Sequence, residues 1–377
     1  MSSLARRSLL VAAVTGLTAT ACQPPAPPAA AELDDLLRRW TAAVLAADRR
    51  AHAALWAAGE APDSLLDLDL VAFDATRSGA DVAVDWRPRD SDSALHHDLV
   101  IEAVRDPAGS PVLRFGPATP GVAVPLWRAE SVTRVDAGTC HLLVGGPGDV
   151  WAGRPVAHWT GVLTDAANTA AARSGRPPTP VWAVLPSSTQ VLSAILGGAD
   201  AARAGAAAYT TVMGEGPVQV LLDPTQLGAL AEAGARALLV HELVHVVTDA
   251  PYTPLPTWVE EGYAEAVTWA DDETNGWSQV ADLLARVRDR PGDPVAVPSD
   301  AEFAGDPLAY GIAWTRCRWQ LDHGGWSALR QWYDLQAPPV PDRTAVDEAA
   351  ALHQVYGLDV ATRDRRWWAW LVQRAAA

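Results

Sequence analysis

A His-Glu-x-x-His segment at 241–245 carries two imidazoles and a carboxylate in a spacing that suits metal binding. Residues four apart stack on one face of a helix, so His241 and His245 can converge on one cation. Zn²⁺ prefers such nitrogen and oxygen ligands, and a catalytic zinc keeps one position open. Glu242 lies about 100° round the helix, where its carboxylate can act as a general base outside the ligand set. The segment predicts one Zn²⁺ per chain and metal-assisted hydrolysis.

The surrounding sequence predicts the helix that this chemistry requires. Residues 228–248 are mostly apolar, and three prolines at 251, 254 and 256 interrupt the pattern before a second helix. Only 9 of the 377 residues are histidine, so the motif rarely arises by chance. The alternative is a helix that holds two structural core histidines.

A third ligand is expected on the second helix. Thr257 follows a proline and has Glu260 three residues later, a pattern that predicts a capping box at the helix start. Glu260 would then have a structural role, which leaves Glu261 as the favoured third ligand. Glu265 lies one turn further along the same face. It can accept a proton from the far nitrogen of a ligating histidine, and the alternative is a solvated helix carboxylate.

These residues together resemble a known family. The His241–His245 segment is followed by Pro256-Thr257-Trp258 and by Glu261-Gly262-Tyr263-Ala264-Glu265, an arrangement similar to the gluzincin clan of zinc peptidases. Within the clan, the chain resembles the peptidase-MA-like domain of bacterial exported proteins over about residues 140–377. The resemblance implies His241, His245 and Glu261 as zinc ligands, Glu242 as general base and a peptide or protein substrate. It leaves endopeptidase and exopeptidase activity both open.

Peptide hydrolysis also needs a hydrogen-bond donor for the oxyanion that forms at the attacked carbonyl. In related clans a Tyr or His on a later helix supplies it, and Tyr310 is the favoured candidate here. Tyr263 and His323 are the alternatives. The run Val218–Leu222 is expected to be an edge strand that binds substrate by strand addition.

The elements around the motif predict an α+β fold in two parts. Residues 138–377 are expected to form a zincin-like metallopeptidase domain, with a small mixed sheet followed by a helical half. Residues 32–137 are expected to form a smaller α+β accessory domain. There a helix precedes several strands, an order similar to the cone-like ketosteroid-isomerase fold. The predicted strands are residues 82–86, 99–104 and 112–115 in the first part, and 140–144, Val181–Leu185 and Val218–Leu222 in the second.

The first thirty residues have the pattern of an export signal. Two arginines precede an apolar stretch, and small residues then lead to Cys22. This predicts a signal peptide at 1–21, lipidation of Cys22 and a Pro/Ala-rich tether at 22–31, similar to a bacterial lipoprotein. The expected location is the outer face of the cytoplasmic membrane, held by the lipid anchor. Simple secretion is the alternative.

Charge and cysteine content exclude or leave open several further classes. The net charge of -16 argues against a nucleic-acid partner, because phosphate recognition needs a basic face. Export would permit a disulfide between Cys140 and Cys317, but the sequence does not show whether they meet. The oligomeric state stays open too. The second functional hypothesis is a non-catalytic binding or scaffold lipoprotein that retains a structural zinc site.

Overall fold

The computed structural model describes residues 30–91, 94–198, 207–212, 216–304, 306, 308–337 and 347–377. Helices and strands within these residues form a mixed α+β protein, so the α+β part of the predicted fold is confirmed. The predicted signal peptide, Cys22 and most of the predicted tether lie outside the described residues. None of the described helices is long and apolar enough to cross a membrane.

The N-terminal region begins with helices and continues with antiparallel strands. Strands β1 to β3 form a three-stranded meander, and β4 and β5 form a separate hairpin. The stretch predicted as one strand at 99–104 therefore belongs to two strands that meet at Val100 and have different partners. The elements are α1 (Ala30–Leu45), α2 (Arg49–Ala53), a 3₁₀ turn (Asp63–Asp67), β1 (Leu70–Ser78), β2 (Asp81–Pro88), β3 (Leu95–Leu99), β4 (Ile101–Arg105), β5 (Pro111–Phe115) and α3 (Leu126–Ala129).

A five-stranded mixed sheet lies at the centre of the fold. Its strands are β6 (Val132–Ala137), β7 (Cys140–Gly145), β10 (Val181–Leu185), β11 (Ala208–Val212) and β12 (Val218–Leu222). The order is β11-β12-β10-β7-β6, with the three middle strands parallel and both outer strands antiparallel. The expectation that Val218–Leu222 forms the edge is therefore wrong. Strand β11 covers it by antiparallel pairing and takes the edge position itself.

Both faces of this sheet are buried, because alternate residues of each strand point to opposite sides. Ala183 of β10 and Val220 of β12 belong to a core shared with the helices. Trp182 and Val184 of β10 belong instead to the core of the N-terminal region. The N-terminal region therefore covers one face of the sheet, and the helices that follow β7 cover much of the other face.

The predicted boundary between the two parts of the chain falls inside the central sheet. The predicted boundary after residue 137 falls in the turn between β6 and β7, whose strands pair from Val132↔Gly145 to Ala137↔Cys140. Strand β6, placed in the accessory domain by the sequence analysis, is thus an outer strand of the central sheet. The backbone hydrogen bonds between β6 and β7 place it there. Sequence periodicity alone does not reveal which strands pair.

Helices account for most of the chain after β7. A small hairpin, β8 (Val150–Trp151) and β9 (Arg154–Pro155), precedes the first of them. The helices are α4 (Val156–Ser174), α5 (Thr189–Ile195), α6 (Pro224–Ala229), α7 (Glu232–Val247), α8 (Thr257–Thr268), α9 (Glu273–Gln279), α10 (Ala281–Asp289), α11 (Leu308–Gln336), α12 (Glu348–Tyr356) and α13 (Val360–Ala376). The helix predicted at 228–248 is two helices, because the backbone is extended at Leu230 and Ala231. Helix α11 is interrupted at Gly325, which has a φ of 73°.

Helix α8 is held tightly against α11. A Cβ on Gly262 would lie 2.6 Å from the backbone oxygen of Ala313 and 2.9 Å from Sγ of Cys317, so only glycine permits this approach. Cys317 is buried at this contact and Cys140 is buried in the sheet; both are free thiols. The two cysteines whose pairing the sequence left open therefore do not form a disulfide.

Trp258, one turn before Gly262 on the same face of α8, contacts two buried arginines. The guanidinium carbons of Arg316 and Arg363 lie 5.8 and 5.2 Å from the ring centroid of Trp258. Asp364 accepts a hydrogen bond from Arg316 at 2.7 Å and one from Arg363 at 2.8 Å. These contacts neutralise part of the buried charge and fix α8 against both α11 and α13.

Candidate metal centre

Helix α7 carries the His-Glu-x-x-His segment through the interior of the protein. It contacts α4, α8 and the central sheet, so it is apolar nearly all round. His241 and Glu242 are each 8% exposed and His245 is 5% exposed. Buried imidazoles and carboxylates need partners, and these come from each other and from α8.

The start of α8 differs from the expected capping box. The N-cap position is Pro256, and no side chain caps the helix there. The backbone N–H of Thr257 donates instead to Oδ1 of Asp300 at 3.1 Å. Glu260 is therefore free for another contact, and its Oε1 lies 3.3 Å from Nδ1 of His245.

Three donor atoms from α7 and α8 converge as predicted for metal ligands. The Nε2 atoms of His241 and His245 lie 3.2 Å apart, and Oε2 of Glu261 lies 3.0 Å from the first and 3.7 Å from the second. A tetrahedral ion with ligand bonds of about 2.0–2.1 Å sets its ligands about 3.3–3.4 Å apart. Two imidazoles and one carboxylate with these separations fit a zinc ion that keeps a fourth position open.

Each imidazole is approached by a second carboxylate on its far nitrogen. Oε1 of Glu265 lies 3.2 Å from Nδ1 of His241, where the sequence analysis expected it, and its Oε2 accepts a hydrogen bond from Nε1 of Trp269. Glu260 takes the corresponding place beside Nδ1 of His245. Both contacts are at ion-pair distance, and neither Nδ1 makes a hydrogen bond within the described residues. A carboxylate in this position favours the histidine tautomer that leaves Nε2 free for a metal.

The histidines and Glu261 stabilise each other's charged forms. Burial acts to lower the pKa of His241 and of His245, but the adjacent Glu261 carboxylate reverses that effect, and both pKa values are raised. Burial would raise the pKa of Glu261, but the two imidazoles outweigh burial and lower it. The buried site thus favours positive charge between its carboxylates, and a divalent cation would meet the same attraction.

Glu242 lies outside the candidate ligand set and contacts the sheet. Its Oε2 accepts a hydrogen bond of 2.6 Å from Oγ1 of Thr210, a residue of the edge strand β11. The same hydroxyl lies 3.1 Å from the backbone oxygen of Glu242. Thr210 therefore holds the Glu242 carboxylate against the edge strand of the sheet.

Tyr310 lies at the border of the cluster on the first turn of α11. Its ring centroid is 6.4 Å from that of His241, and the side chain is 40% exposed. Burial, followed by the charges of Glu261 and Glu242, raises the pKa of the Tyr310 hydroxyl. The hydroxyl therefore keeps its proton at neutral pH and remains a hydrogen-bond donor.

The two alternatives to Tyr310 occupy structural positions. Tyr263 is 1% exposed and stacks on Tyr333 with ring centroids 4.1 Å apart, and burial raises its pKa to about 12. His323 places Nδ1 2.8 Å from the backbone oxygen of Trp319. In the described part of the chain, neither side chain contacts a predicted ligand.

Sequence reasoning missed two contributors to this centre. The sequence assigns Glu260 to a capping box, whereas in the structure Glu260 lies beside His245 as Glu265 lies beside His241. Thr210 lies on a strand that the sequence did not predict, and no local pattern indicates that it reaches Glu242.

No protein-family model matches the sequence, and no curated protein matches it.

Proposed function

We propose that the chain is an exported zinc metallopeptidase of the gluzincin type, with a zincin-like catalytic domain at 138–377. The observation that carries this proposal is the convergence of His241, His245 and Glu261 beside a carboxylate, Glu242, that stays outside their set. A purely structural metal site has no need of such a base. The substrate class would be peptides or proteins.

The residues of the chain have separable parts in this reaction. A bound zinc ion would supply Lewis-acid activation of the attacking water and of the scissile carbonyl. Glu242 accepts the proton of the attacking water and passes it to the leaving amine. Tyr310, which keeps its proton, donates a hydrogen bond to the oxyanion. Glu265 and Glu260 hold the far nitrogens of His241 and His245.

The position of β11 favours a peptide as substrate. Among the described strands β11 pairs only with β12, so no described strand occupies its other edge. Thr210 of this strand contacts the proposed base directly. A peptide added along β11 would therefore run beside Glu242, and its backbone would supply the missing ladder hydrogen bonds.

The experiment combines metal analysis with a cleavage assay. The purified chain is expected to contain one zinc and to cleave casein or a peptide library. Glu242→Gln should keep the metal and lower the rate of cleavage by about 10²–10⁴-fold, because it removes the proton acceptor. Glu232→Gln, on the exposed first turn of the same helix, is the matched control. A zinc-loaded chain with no cleavage would instead favour the scaffold hypothesis.

Export and lipid anchoring through Cys22 belong to the same proposal and depend on the sequence of residues 1–31. Replacing Cys22 with serine removes the thiol that would be acylated. The protein is then expected to move from the membrane fraction to the soluble fraction. Unchanged membrane association would contradict the anchor without affecting the proposed activity.

A further inference from the structure

A cavity lies away from the candidate metal centre, in another part of the molecule. It has a volume of about 680 Å³ and lies between the N-terminal region and the end of α5. Its lining is mostly apolar, from Leu99 and Val100 on one side to Val122 and Val124 on another. None of its lining residues belongs to the metal centre. This volume is in the range of small-molecule sites.

The walls of this cavity are fixed by backbone contacts. The N–H of Gly121 donates to the oxygen of Gly197 at 2.7 Å, and the N–H of Val124 donates to that of Ile195 at 3.2 Å. A Cβ on Gly197 would lie 2.7 Å from the backbone of Gly121 and Val122, and Gly197 has a φ of +76°. The loop is therefore closed against α5, and the cavity is part of the folded structure.

One cationic side chain, Arg128, faces this apolar surrounding. Its guanidinium carbon lies 4.0 Å from the ring centroid of Phe115, and Nη2 donates to the backbone oxygen of Gly116 at 3.2 Å. Burial lowers the pKa of Arg128, and the charge of Glu60 only partly opposes this effect. Among the described residues, no carboxylate oxygen lies within ion-pair distance of Arg128, in contrast to the paired Arg316.

The acidic side chains near Arg128 have hydrogen-bond or ion-pair partners of their own. Arg128 also lines a smaller polar cavity of about 520 Å³, which contains Glu60 and Glu130. Glu60 accepts a hydrogen bond from the backbone of Phe115, and Glu130 accepts two from Ser187. Asp98, at the apolar cavity, lies 3.7 Å from Nε2 of His96 and has a half-exposed side chain.

We propose that the apolar cavity binds a carboxylate of the fatty-acid type, with its chain in the cavity and its carboxylate paired with Arg128. A guanidinium presents two parallel N–H donors to a carboxylate, and the partial burial of Arg128 against Phe115 strengthens such a pair relative to one in bulk water. The apolar lining favours a hydrocarbon tail over a polar one. Charge and lining together select an amphipathic anion.

The test is calorimetric titration of the purified protein with decanoate, and with decanol and decylamine as uncharged and cationic analogues. Wild type is expected to show saturable binding of decanoate, with the two analogues at least about tenfold weaker. Arg128→Gln should weaken decanoate binding at least tenfold and leave decanol binding unchanged. Arg365→Gln, an exposed arginine on α13, is the matched control and should bind as wild type does.

A second variant tests the proposal independently if Arg128→Gln fails to fold. Ala194 is exposed on α5 and lines the cavity, so Ala194→Phe should fill it without disturbing the fold. Decanoate binding should then be lost. Full affinity in either variant would overturn the proposal, as would no saturable binding by wild type up to about 1 mM. Glu242→Gln should bind decanoate normally, which separates this proposal from the peptidase proposal.

Discussion

Two pairs of histidines in this protein differ in how their surroundings shift the pKa of the buried members. His96 and His97 are adjacent on β3 and face opposite sides, whereas His241 and His245 are four apart on α7 and face the same side. His97 is 4% exposed and burial lowers its pKa to about 3. The two histidines of α7 are similarly buried, but their pKa values are raised.

The difference arises from carboxylates and not from burial. His97 accepts a hydrogen bond from Nε1 of Trp86 at 3.3 Å, which suits a neutral imidazole. The α7 histidines face Glu261 and two further glutamates from α8. A buried histidine in an apolar core is thus kept neutral, while the same residue among carboxylates belongs to a site that attracts cations.

The largest expected effect comes from removing the shared carboxylate of the α7 pair. Glu261→Gln should lower zinc affinity by more than about 100-fold, because loss of a ligand exceeds the effect of losing an outer partner. Competition with a chelator would measure this change. Glu232→Gln is the control on the same pair of helices. Unchanged affinity would show that Glu261 is not a ligand.

The outer carboxylates should have a smaller effect. Glu265→Gln and Glu260→Gln are each expected to lower zinc affinity by about 10–100-fold, since each leaves one Nδ1 without its charged partner. Measuring both variants tests whether the two flanks of the centre are equivalent. If Glu260→Gln binds zinc normally, only His241 is oriented by a carboxylate.

His97, the buried and neutral histidine of the β3 pair, predicts that the stability of the protein depends on pH. His97 has a folded pKa of about 3, below its unfolded value of about 6.5, so the unfolded state binds the extra proton between these values. Its contribution is present above pH 6.5 and falls as the pH falls, by about 2 kcal/mol from pH 7 to pH 5. Urea denaturation across this range should show the loss. His97→Gln should remove that part of the slope, and an unchanged slope would contradict the assignment.

The smallest effect is expected at the exposed member of the β3 pair. A hydrogen bond from His96 to Asp85, 2.7 Å long, raises the pKa of His96. Asp85→Asn should return that pKa toward its usual value, which an NMR titration of the imidazole would measure. The stability change should stay below about 1 kcal/mol, because the pair is exposed. It should appear at low pH and disappear as the pH rises through the folded pKa of His96.

The parts of the centre that the sequence predicted are those fixed by helix periodicity. His241, His245 and Glu265 follow from spacings of four residues, which place side chains on one face before any tertiary structure is known. The role of Glu260 did not follow, because the start of α8 is satisfied by Asp300, a residue from a later loop. The edge strand was misassigned for the same reason, since strand pairing is decided by distant residues.

The arginine contacts of Trp258 have a consequence for assembly. Trp258 lies one turn before Glu261 on α8, and the side chains that enclose it come from α11 and α13. Glu261 on α8 is therefore expected to reach its final position only after helices made much later in synthesis have docked. If Glu261 is a zinc ligand as proposed, zinc uptake by the nascent chain would report that these later helices have folded.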